Sequence, residues 1–491
     1  MSESIETAKL SDELGPVDYL MHRGEANPRT RSGIMALELL DTTPHWERFR
    51  TRFENASRRV LRLRQKVVIP TLPTASPRWV VDPDFNLDFH VRRVRVSGSG
   101  TLREVFDLAE VILQSPMDIS RPLWTATLVE GLADGKAATL LHVSHAVTDG
   151  VGGVEMFAEF YDLERDPPPK PTPPQPIPQD LTPNDLMRQG INRLPFAIVN
   201  SVVGAVSGAV SAAGKAVMDP VSTVGGAVGY AMSGVRVINR AAEPSPLLRR
   251  RSLATRTEAI DIRLADLHKA AKAGGGSIND AYLAGLSGAL RRYHIALGVP
   301  ISTLPMSVPV NLRAEADTAG GNRFTGVNLA APLGTADPVS RMKKIRAQMT
   351  QRRDEPAMNI IGYMAPVLSV LPTPVLEGIT GSVIGADVQA SNVPVYPGDT
   401  YIAGAKILRQ YGIGPLPGVA MMVVLISRGG WCTITVRYDR ASVRDEPLFA
   451  QCLLEGFDEI LALAGRPEPR AVPASFVAER AGSTSRSVSD S

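Results

Sequence analysis

Residues 140–150 read Leu-Leu-His-Val-Ser-His-Ala-Val-Thr-Asp-Gly, and this stretch carries more information on fold and chemistry than any other. An apolar run typical of a strand leads to His145, and Asp149 follows four residues later. Glycines at positions 150, 152 and 153 then precede apolar residues at helical spacing. The pattern predicts a strand, a short turn that carries His145 and Asp149, and a helix.

His145 is the candidate general base of this stretch. Side chains alternate along a strand, so His142 and Ser144 are predicted on one face and His145 on the other. Imidazole titrates near neutral pH, and Asp149 would fix the turn or the ring tautomer. The alternative is a core histidine bonded to backbone, with an ordinary turn at Asp149-Gly150. Because the chain has no HExxH pattern, we predict no metal site.

The composition is that of a folded globular protein. Of 491 residues, 44% are hydrophobic and 21% are charged. The net charge of +3 and an aromatic content of 5% do not indicate nucleic-acid binding. Cys432 and Cys452, the two cysteines, indicate core positions rather than a disulfide framework. The first twenty residues contain five acidic residues and no apolar segment, so we expect a cytoplasmic chain.

Periodicity predicts mixed strands and helices in residues 1–165 and again in 252–465. In the first region the predicted helix is Leu102–Gln114, and the predicted strands are Ile34–Leu40, Trp79–Val81, Phe89–Val96, Leu123–Val129 and Ala138–His145. In the second, the predicted strands are Glu258–Arg263, Leu304–Val310 and those within Met421–Val436, with helices at Ser277–His294 and Pro447–Leu463. The tail, residues 466–491, is predicted to be disordered.

Residues 166–251 are predicted to link these two regions. Nine prolines between positions 167 and 183 favour polyproline II, which could span about 53 Å as an interdomain crossover. Residues 195–214 and 220–235 are uncharged and rich in Ala, Gly and Ser. They could form interfacial or membrane-touching helices, buried packing helices, or a membrane span.

The motif at His145 resembles the HHxxxDG signature of the bacterial wax ester synthase/diacylglycerol acyltransferase family. The resemblance runs from Leu14-Gly15-Pro16-Val17-Asp18 to the helix that ends near Leu463, and with the motif five blocks occur in the family's order. The other four are Arg121-Pro122-Leu123-Trp124 (the PLW block), Ile278-Asn279-Asp280 (the ND block), Val310-Asn311-Leu312-Arg313 with Gly321-Asn322-Arg323, and Ser391-Asn392-Val393-Pro394 followed by Tyr401-Ile402-Ala403-Gly404-Ala405.

The resemblance implies an α/β (α+β) chain of two chloramphenicol-acetyltransferase-like domains. Each domain would be a mixed β-sheet flanked by helices, and the Pro-rich crossover would join them. It implies acyl transfer from acyl-CoA, the co-substrate, to diacylglycerol or a long-chain alcohol, with no cofactor. The expected partners are these substrates and a membrane or lipid-inclusion surface, with peripheral attachment and no nucleic acid. The sequence does not indicate an oligomeric state.

The sequence departs from the family's motif at one position, because Ser144 stands where the first histidine is expected. The second histidine, matched by His145, is the one to which the family assigns catalysis, so activity need not be lost. A weakened enzyme, a shifted acceptor preference, or a lipid-binding relative without transfer activity remain alternatives. Another is the chemistry of peptide-synthetase condensation domains, which carry a similar motif. No carrier or adenylation region is present to support that reading.

The remaining candidate residues come from the other blocks. Asn279 and Asn392 are candidate donors to the oxyanion by motif only, since Ser277 or Asn279 could cap a helix and Asn392 could serve a turn. Asp280 and Gly150 are motif residues. Pro122, Leu123 and Trp124 form the PLW block, in which Trp124 favours core packing over substrate contact. No GxSxG elbow is present, so direct transfer is favoured over a covalent enzyme intermediate.

Overall fold

The computed structural model describes residues 12–147, 156, 158–168, 171–193, 241–311, 324–353, 385–465 and 472–473. In the first half, the helices are α1 (Pro16–Gly24), α2 (Trp46–Arg59), α3 (Leu87–His90), α4 (Leu102–Gln114) and α5 (Pro183–Arg193). The strands are β1 (Gly33–Leu40), β2 (Gln65–Val68), β3 (Arg78–Val81), β4 (Val91–Arg95), β5 (Trp124–Glu130) and β6 (Ala137–Ser144).

The second half supplies four long helices and nine strands to the described part of the chain. The helices are α6 (Leu264–Ala273), α7 (Ile278–Ala296), α8 (Pro338–Arg353) and α9 (Glu446–Leu461). The strands are β7 (Thr255–Arg263), β8 (Leu304–Asn311), β9 (Phe324–Ala331), β10 (Val388–Val393), β11 (Tyr401–Ile402), β12 (Ala405–Ile413), β13 (Met421–Arg428), β14 (Trp431–Asp439) and β15 (Val472–Pro473).

Two mixed sheets contain all of these strands except β2 and β3, which form a separate antiparallel pair. The first has the order β11-β12-β1-β6-β5-β4, and the second β15-β7-β14-β13-β10-β8-β9. Strand β12 comes from the second half of the chain, yet it pairs antiparallel with β1 in the first sheet. The first sheet is therefore completed by the second half, a relation that domain limits written as 1–165, 166–251, 252–465 and 466–491 do not express. Those limits stay a prediction.

Most predicted elements are found, with two differences in detail. The predicted strand Phe89–Val96 is the short helix α3 followed by β4, because Asn86 caps a helical turn through the N–H of Asp88. The predicted run Met421–Val436 is the hairpin of β13 and β14, whose turn uses Gly429 and Gly430 at φ of 54° and 76°.

Buried groups join the two sheets. Leu140 of β6, Tyr411 of β12 and Ala259 of β7 belong to one apolar cluster. Beside it, Glu110 of α4 pairs with Arg437 of β14 at 3.2 Å, and both side chains are 7% exposed. Removing one partner of such a buried ion pair costs several kcal/mol of folding free energy, so this contact helps to fix the two halves relative to each other.

The proline-rich segment contains no helix or strand between residues 171 and 182, as polyproline II predicts. It is anchored at Gln179, whose N–H donates to the Val81 carbonyl at 3.1 Å. Residues 195–214 and 220–235 lie outside the described residues, as does the predicted tail apart from Val472–Pro473. Among the described residues, no helix is both long enough and apolar enough to cross a membrane. Cys432 and Cys452 are buried, as predicted.

Candidate active site

His145 lies immediately beyond the end of a central strand. Strand β6 ends at Ser144, and His145 begins the turn that follows. Its backbone N–H donates to the Ser32 carbonyl at 3.2 Å. The residue is half-buried, so it is neither sealed in the core nor free on the surface. A ring in this position can be held by the fold and still be reached by substrate.

The strand end beneath His145 is fixed from both sides. In the pairing of β1 with β6, Gly33 lies opposite Ser144. On the other side, the Ser144 N–H donates to the carbonyl of Leu123 at 3.0 Å. These main-chain bonds to both neighbours determine where the chain leaves the sheet, and therefore where His145 is presented.

Ser144, the residue that departs from the family motif, is bound to a buried acid. Its Oγ donates to Oε1 of Glu25 at 2.6 Å and accepts the Ala146 N–H at 3.2 Å. Ser32 Oγ donates to the same Glu25 oxygen at 2.9 Å. Glu25 thus holds Ser32, whose carbonyl binds His145, and Ser144, which precedes His145. Replacing the first histidine by serine has left this strand end tightly bonded.

Glu25 comes from the C-terminus of α1 and is fully buried. Burial raises the pKa of this carboxyl, while the hydrogen bonds from Ser144 and Ser32 oppose the rise. The nearby positive charge of Arg31 acts in the same direction as those bonds. Arg31 also donates from Nε to the Glu25 backbone carbonyl at 3.1 Å. Glu25 therefore belongs to a polar network beside the candidate base, which the sequence did not predict.

His142 is unsuited to the role of base. It is 3% exposed, and its pKa is lowered to about 3, first by burial and then by the charges of Arg437 and Arg31. A Cβ on Gly33 would lie 2.5 Å from His142 Nε2, so the glycine makes room for this ring. His142 is accordingly a neutral core residue, which leaves His145 as the candidate that the motif supplies.

The PLW block forms part of the core beside β6. Pro122 and Leu123 are buried, and Trp124 is 1% exposed. Trp124 Nε1 donates to the Leu63 carbonyl at 2.7 Å, and its ring stacks on His90 with centroids 4.7 Å apart. The block supports the strand end through packing and the Leu123 carbonyl.

The ND and SNV residues lie in the second half. Asp280 forms a capping box with Ser277 at the start of α7, and Asn279 is half-buried in the first turn. Asn392 is exposed in strand β10, not in a turn. Within the described residues, neighbouring β8 pairs with β10 at Val388 and Gln389 and not at Asn392.

The structure thus brings Leu123, Ser144 and His145 together at one end of the first sheet. Asp149 and Gly150 lie outside the described residues. Within the described ranges, no three His, Cys, Asp or Glu side chains are grouped as metal ligands. Glu25 and Ser32 were missed because neither belongs to a recognisable motif.

The chain is similar to known proteins along most of its length. The chain matches the wax ester synthase/diacylglycerol acyltransferase catalytic domain over residues 6–282 and the C-terminal domain of the same family over residues 320–461. A Mycobacterium tuberculosis H37Rv protein named as a diacyglycerol O-acyltransferase is 85% identical over 491 residues, which is 100% of both chains. A second relative from that strain, also named as a diacyglycerol O-acyltransferase and designated tgs2, is 27% identical over 372 residues, covering 72% of this chain and 76% of its own.

Solved structures share the fold. The wax ester synthase/diacylglycerol acyltransferase of Marinobacter aquaeolei VT8 superposes with a TM-score of 0.62 at 20% identity, covering 92% of this chain and 100% of its own. A trichothecene 15-O-acetyltransferase of Fusarium sporotrichioides gives a TM-score of 0.58 at 12% identity, with coverage of 93% and 95%. Because both family domains match in order and a named relative is 85% identical over the full length, the chain belongs to the wax ester synthase/diacylglycerol acyltransferase family and is an acyltransferase.

Proposed function

We propose that this enzyme transfers a long-chain acyl group from acyl-CoA to the hydroxyl of diacylglycerol, with His145 as the general base. The observation that carries the proposal is the half-buried His145 at the end of β6, held through its backbone by Ser32. The names of the relatives favour diacylglycerol as acceptor, with long-chain alcohols as a second acceptor class. Acyl-CoA enters as a co-substrate, and the proposed chemistry uses no cofactor.

The reaction needs one group that accepts and returns a proton. His145 takes the proton from the acceptor hydroxyl while that oxygen bonds to the thioester carbonyl carbon. The tetrahedral intermediate collapses, the C–S bond breaks, and the imidazolium returns the proton to the departing thiolate of CoA. The products are the ester and free CoA, and His145 is again neutral. Asn279 and Asn392 stay proposed donors to the oxyanion, and Asp149 stays a proposed support of the turn.

The lipid acceptor suggests where the enzyme works. Diacylglycerols and long-chain alcohols concentrate in membranes and lipid inclusions, so we propose that the protein associates peripherally with such surfaces. The uncharged sequence of residues 195–214 and 220–235 supports this proposal. Flotation of the full-length protein with phospholipid vesicles containing diacylglycerol tests it. Protein that stays at the bottom of the gradient at every lipid concentration would contradict surface attachment.

An acyl-transfer assay tests the base. The full-length protein is incubated with radiolabelled palmitoyl-CoA and either dioleoylglycerol or hexadecanol, and labelled ester and free thiol are both measured. His145→Ala should lower kcat by about 10² to 10⁴. His268→Ala is the matched control, because it removes an exposed histidine from α6 and should leave kcat unchanged.

The outcomes separate the alternatives. Equal ester formation by the wild type and His145→Ala would overturn the assignment of the base. If the wild type forms no ester with either acceptor but binds both lipids, the lipid-binding alternative replaces the transfer reaction.

A further inference from the structure

A cleft of about 470 Å³ opens between the two halves of the molecule. Its first wall is residues 28–33 and the end of α4. Its second wall comes from residues 249–255, the loop between β12 and β13, and the end of β14. The volume falls within the range of small-molecule sites, which commonly lie between domains.

The lining of this cleft is strongly cationic. Its charged residues are Arg29, Arg31, Arg249, Arg251, Arg437 and Asp439. The single acid, Asp439, accepts the Ser252 N–H at 2.6 Å and the Ala441 N–H at 2.8 Å, and its negative charge opposes that of Arg251. Arg437 is paired with Glu110. With Glu110 set against Arg437 and Asp439 against Arg251, the lining still carries an excess of positive charge, in a chain whose net charge is only +3.

Neutral groups orient the two inner arginines. Arg31 donates to the backbone carbonyls of Glu25 at 3.1 Å and Gln114 at 2.6 Å. Arg251 donates to the Arg250 carbonyl at 3.0 Å and to Ser442 Oγ at 3.2 Å. Carbonyls and a hydroxyl orient these guanidinium groups, and the nearby Asp387 and Asp439 offset part of the charge of Arg251. The charge of Arg31 is available to a ligand. The planar arrangement of N–H donors on arginine matches phosphate oxygens well.

The outer arginines are also uncommitted. Arg29 and Arg249 are exposed at the cleft and form no ion pair with any residue that the structure describes. Four arginines thus approach one cavity from two walls, two of them fixed in direction and two at its opening. An anion with several charges is the ligand that such a site attracts most strongly.

The cleft adjoins the strand pair that presents His145. Gly33 is part of its lining and lies opposite Ser144 in the β1–β6 pairing. The adjacent residue, Ser32, provides the carbonyl that binds the His145 N–H. The cleft therefore lies one residue along the chain from the carbonyl that holds the backbone of the candidate base.

We propose that this arginine cleft binds the phosphate groups of coenzyme A, the 3′-phosphate and the diphosphate, and so orients acyl-CoA toward His145. The inference rests on the proposed function, which makes acyl-CoA a substrate. The flexible pantetheine arm lies between the phosphates and the thioester, so one end can be anchored by charge while the other reaches the strand end. The acyl chain contributes apolar binding elsewhere, and the cleft supplies recognition of the CoA head.

The test compares two double variants that remove the same charge. Arg29→Gln/Arg249→Gln changes the two exposed cleft arginines, whose replacement should not disturb folding. Arg95→Gln/Arg444→Gln is the matched control, because both residues are exposed and neither lines the cleft. Binding of CoA and of dephospho-CoA to the full-length protein is measured by calorimetry, and kcat and KM are measured with palmitoyl-CoA.

The cleft variant should bind CoA about tenfold more weakly, and the control should bind like the wild type. The KM for palmitoyl-CoA should rise by a similar factor with kcat preserved. The KM for the N-acetylcysteamine thioester of palmitate, which lacks phosphates, should not change. The wild type should bind dephospho-CoA more weakly than CoA, and this preference should shrink in the cleft variant.

Unchanged CoA affinity in the cleft variant would overturn the proposal, even where acyl transfer is intact. Weaker binding to vesicles containing phosphatidylglycerol, with unchanged CoA affinity, would assign the cleft to lipid phosphates and also overturn it. CoA bound through the cleft by a protein that forms no ester would uphold the cleft and contradict the proposed function. Arg31→Gln provides a second, inner variant with the same expected direction.

Discussion

Two regions of the molecule combine histidine, serine and an acid, and they differ in what substrate can reach. At the end of β6, half-buried His145 follows Ser144, which is bonded to Glu25. In the second half, Ser245 Oγ lies 2.6 Å from Nε2 of His294, and Asp387 is close by. In the second cluster the serine contacts the histidine, as in a hydrolase triad, whereas in the first the serine is bonded to the acid.

The hydrogen bonds and the burial of the second cluster argue against a catalytic role. Nδ1 of His294 lies 2.7 Å from the Leu290 carbonyl oxygen, so this ring nitrogen carries the proton. Asp387 accepts the backbone N–H of Ser245 at 2.6 Å and does not orient the imidazole. His294 is 1% exposed and Ser245 fully buried, so the cluster is structural. Proximity of serine, histidine and an acid therefore does not by itself make an active site. A histidine that substrate can reach at the end of a strand can act as a catalytic base.

The largest expected effect separates the two regions by activity. His145→Ala should lower kcat by about 10² to 10⁴ because the general base is lost. The free energy of unfolding should be nearly unchanged, because the side chain that is removed is only half-buried. The paired measurements are initial rates of ester formation and urea denaturation followed by circular dichroism. A large loss of stability with unchanged kcat would show that His145 is a structural histidine, like His294, and would contradict its role as the base.

The opposite result is expected for the buried cluster. His294→Leu leaves the Ser245 O–H without its acceptor, at a cost of about 1–3 kcal/mol. The free energy of unfolding should fall accordingly, while kcat per folded molecule stays the same. Adding Ser245→Ala should recover part of the loss, which a double-mutant cycle measures. If His294→Leu abolished ester formation in a folded protein, the cluster would have a catalytic role.

The contrast also shows what the sequence could provide. Helix α4 has the predicted bounds, since a capping box at Thr101 and a regular apolar face both mark it locally. His145 was found because its motif lies within a few residues. Pairing of β12 with β1, some 370 positions apart, has no local signature, because periodicity predicts a strand but not its partner. Glu25 and the arginine cleft are likewise products of tertiary contact.

A pH series sharpens the distinction between accessible and sealed histidines. His90 is buried between Phe85 and Trp124, and burial lowers its pKa to about 4. The unfolded chain therefore binds the proton more readily than the folded one. Its contribution to stability is complete above pH 6.5 and is lost as the pH falls toward 4, by up to about 1.4 kcal/mol per pH unit.

His90→Phe keeps the aromatic stack and removes this titration. Urea unfolding at several pH values should show the wild type losing stability relative to the variant between pH 6.5 and 4. The variant itself should be less stable at pH 7.5, because the Trp124 carbonyl loses its bond to His90 Nδ1. Parallel curves for the two proteins would show that His90 is not held neutral by the fold.

The smallest expected effect concerns Ser144, a buried residue directly before the half-buried His145. Ser144→Ala removes one of the two hydroxyl donors to Glu25 Oε1 and the acceptor of the Ala146 N–H. We expect a loss of about 1–2 kcal/mol in unfolding free energy and a few-fold decrease in kcat, because the turn at His145 is less firmly held. Ser144→Thr keeps the hydroxyl and should recover most of kcat. Ser32→Ala removes the other donor but not the carbonyl that binds His145, so it should lower stability similarly and kcat less. If Ser144→Ala and Ser32→Ala lowered kcat equally, the bond to Ala146 would have no part in positioning the base, and Glu25 alone would connect the buried network to the reactive end of β6.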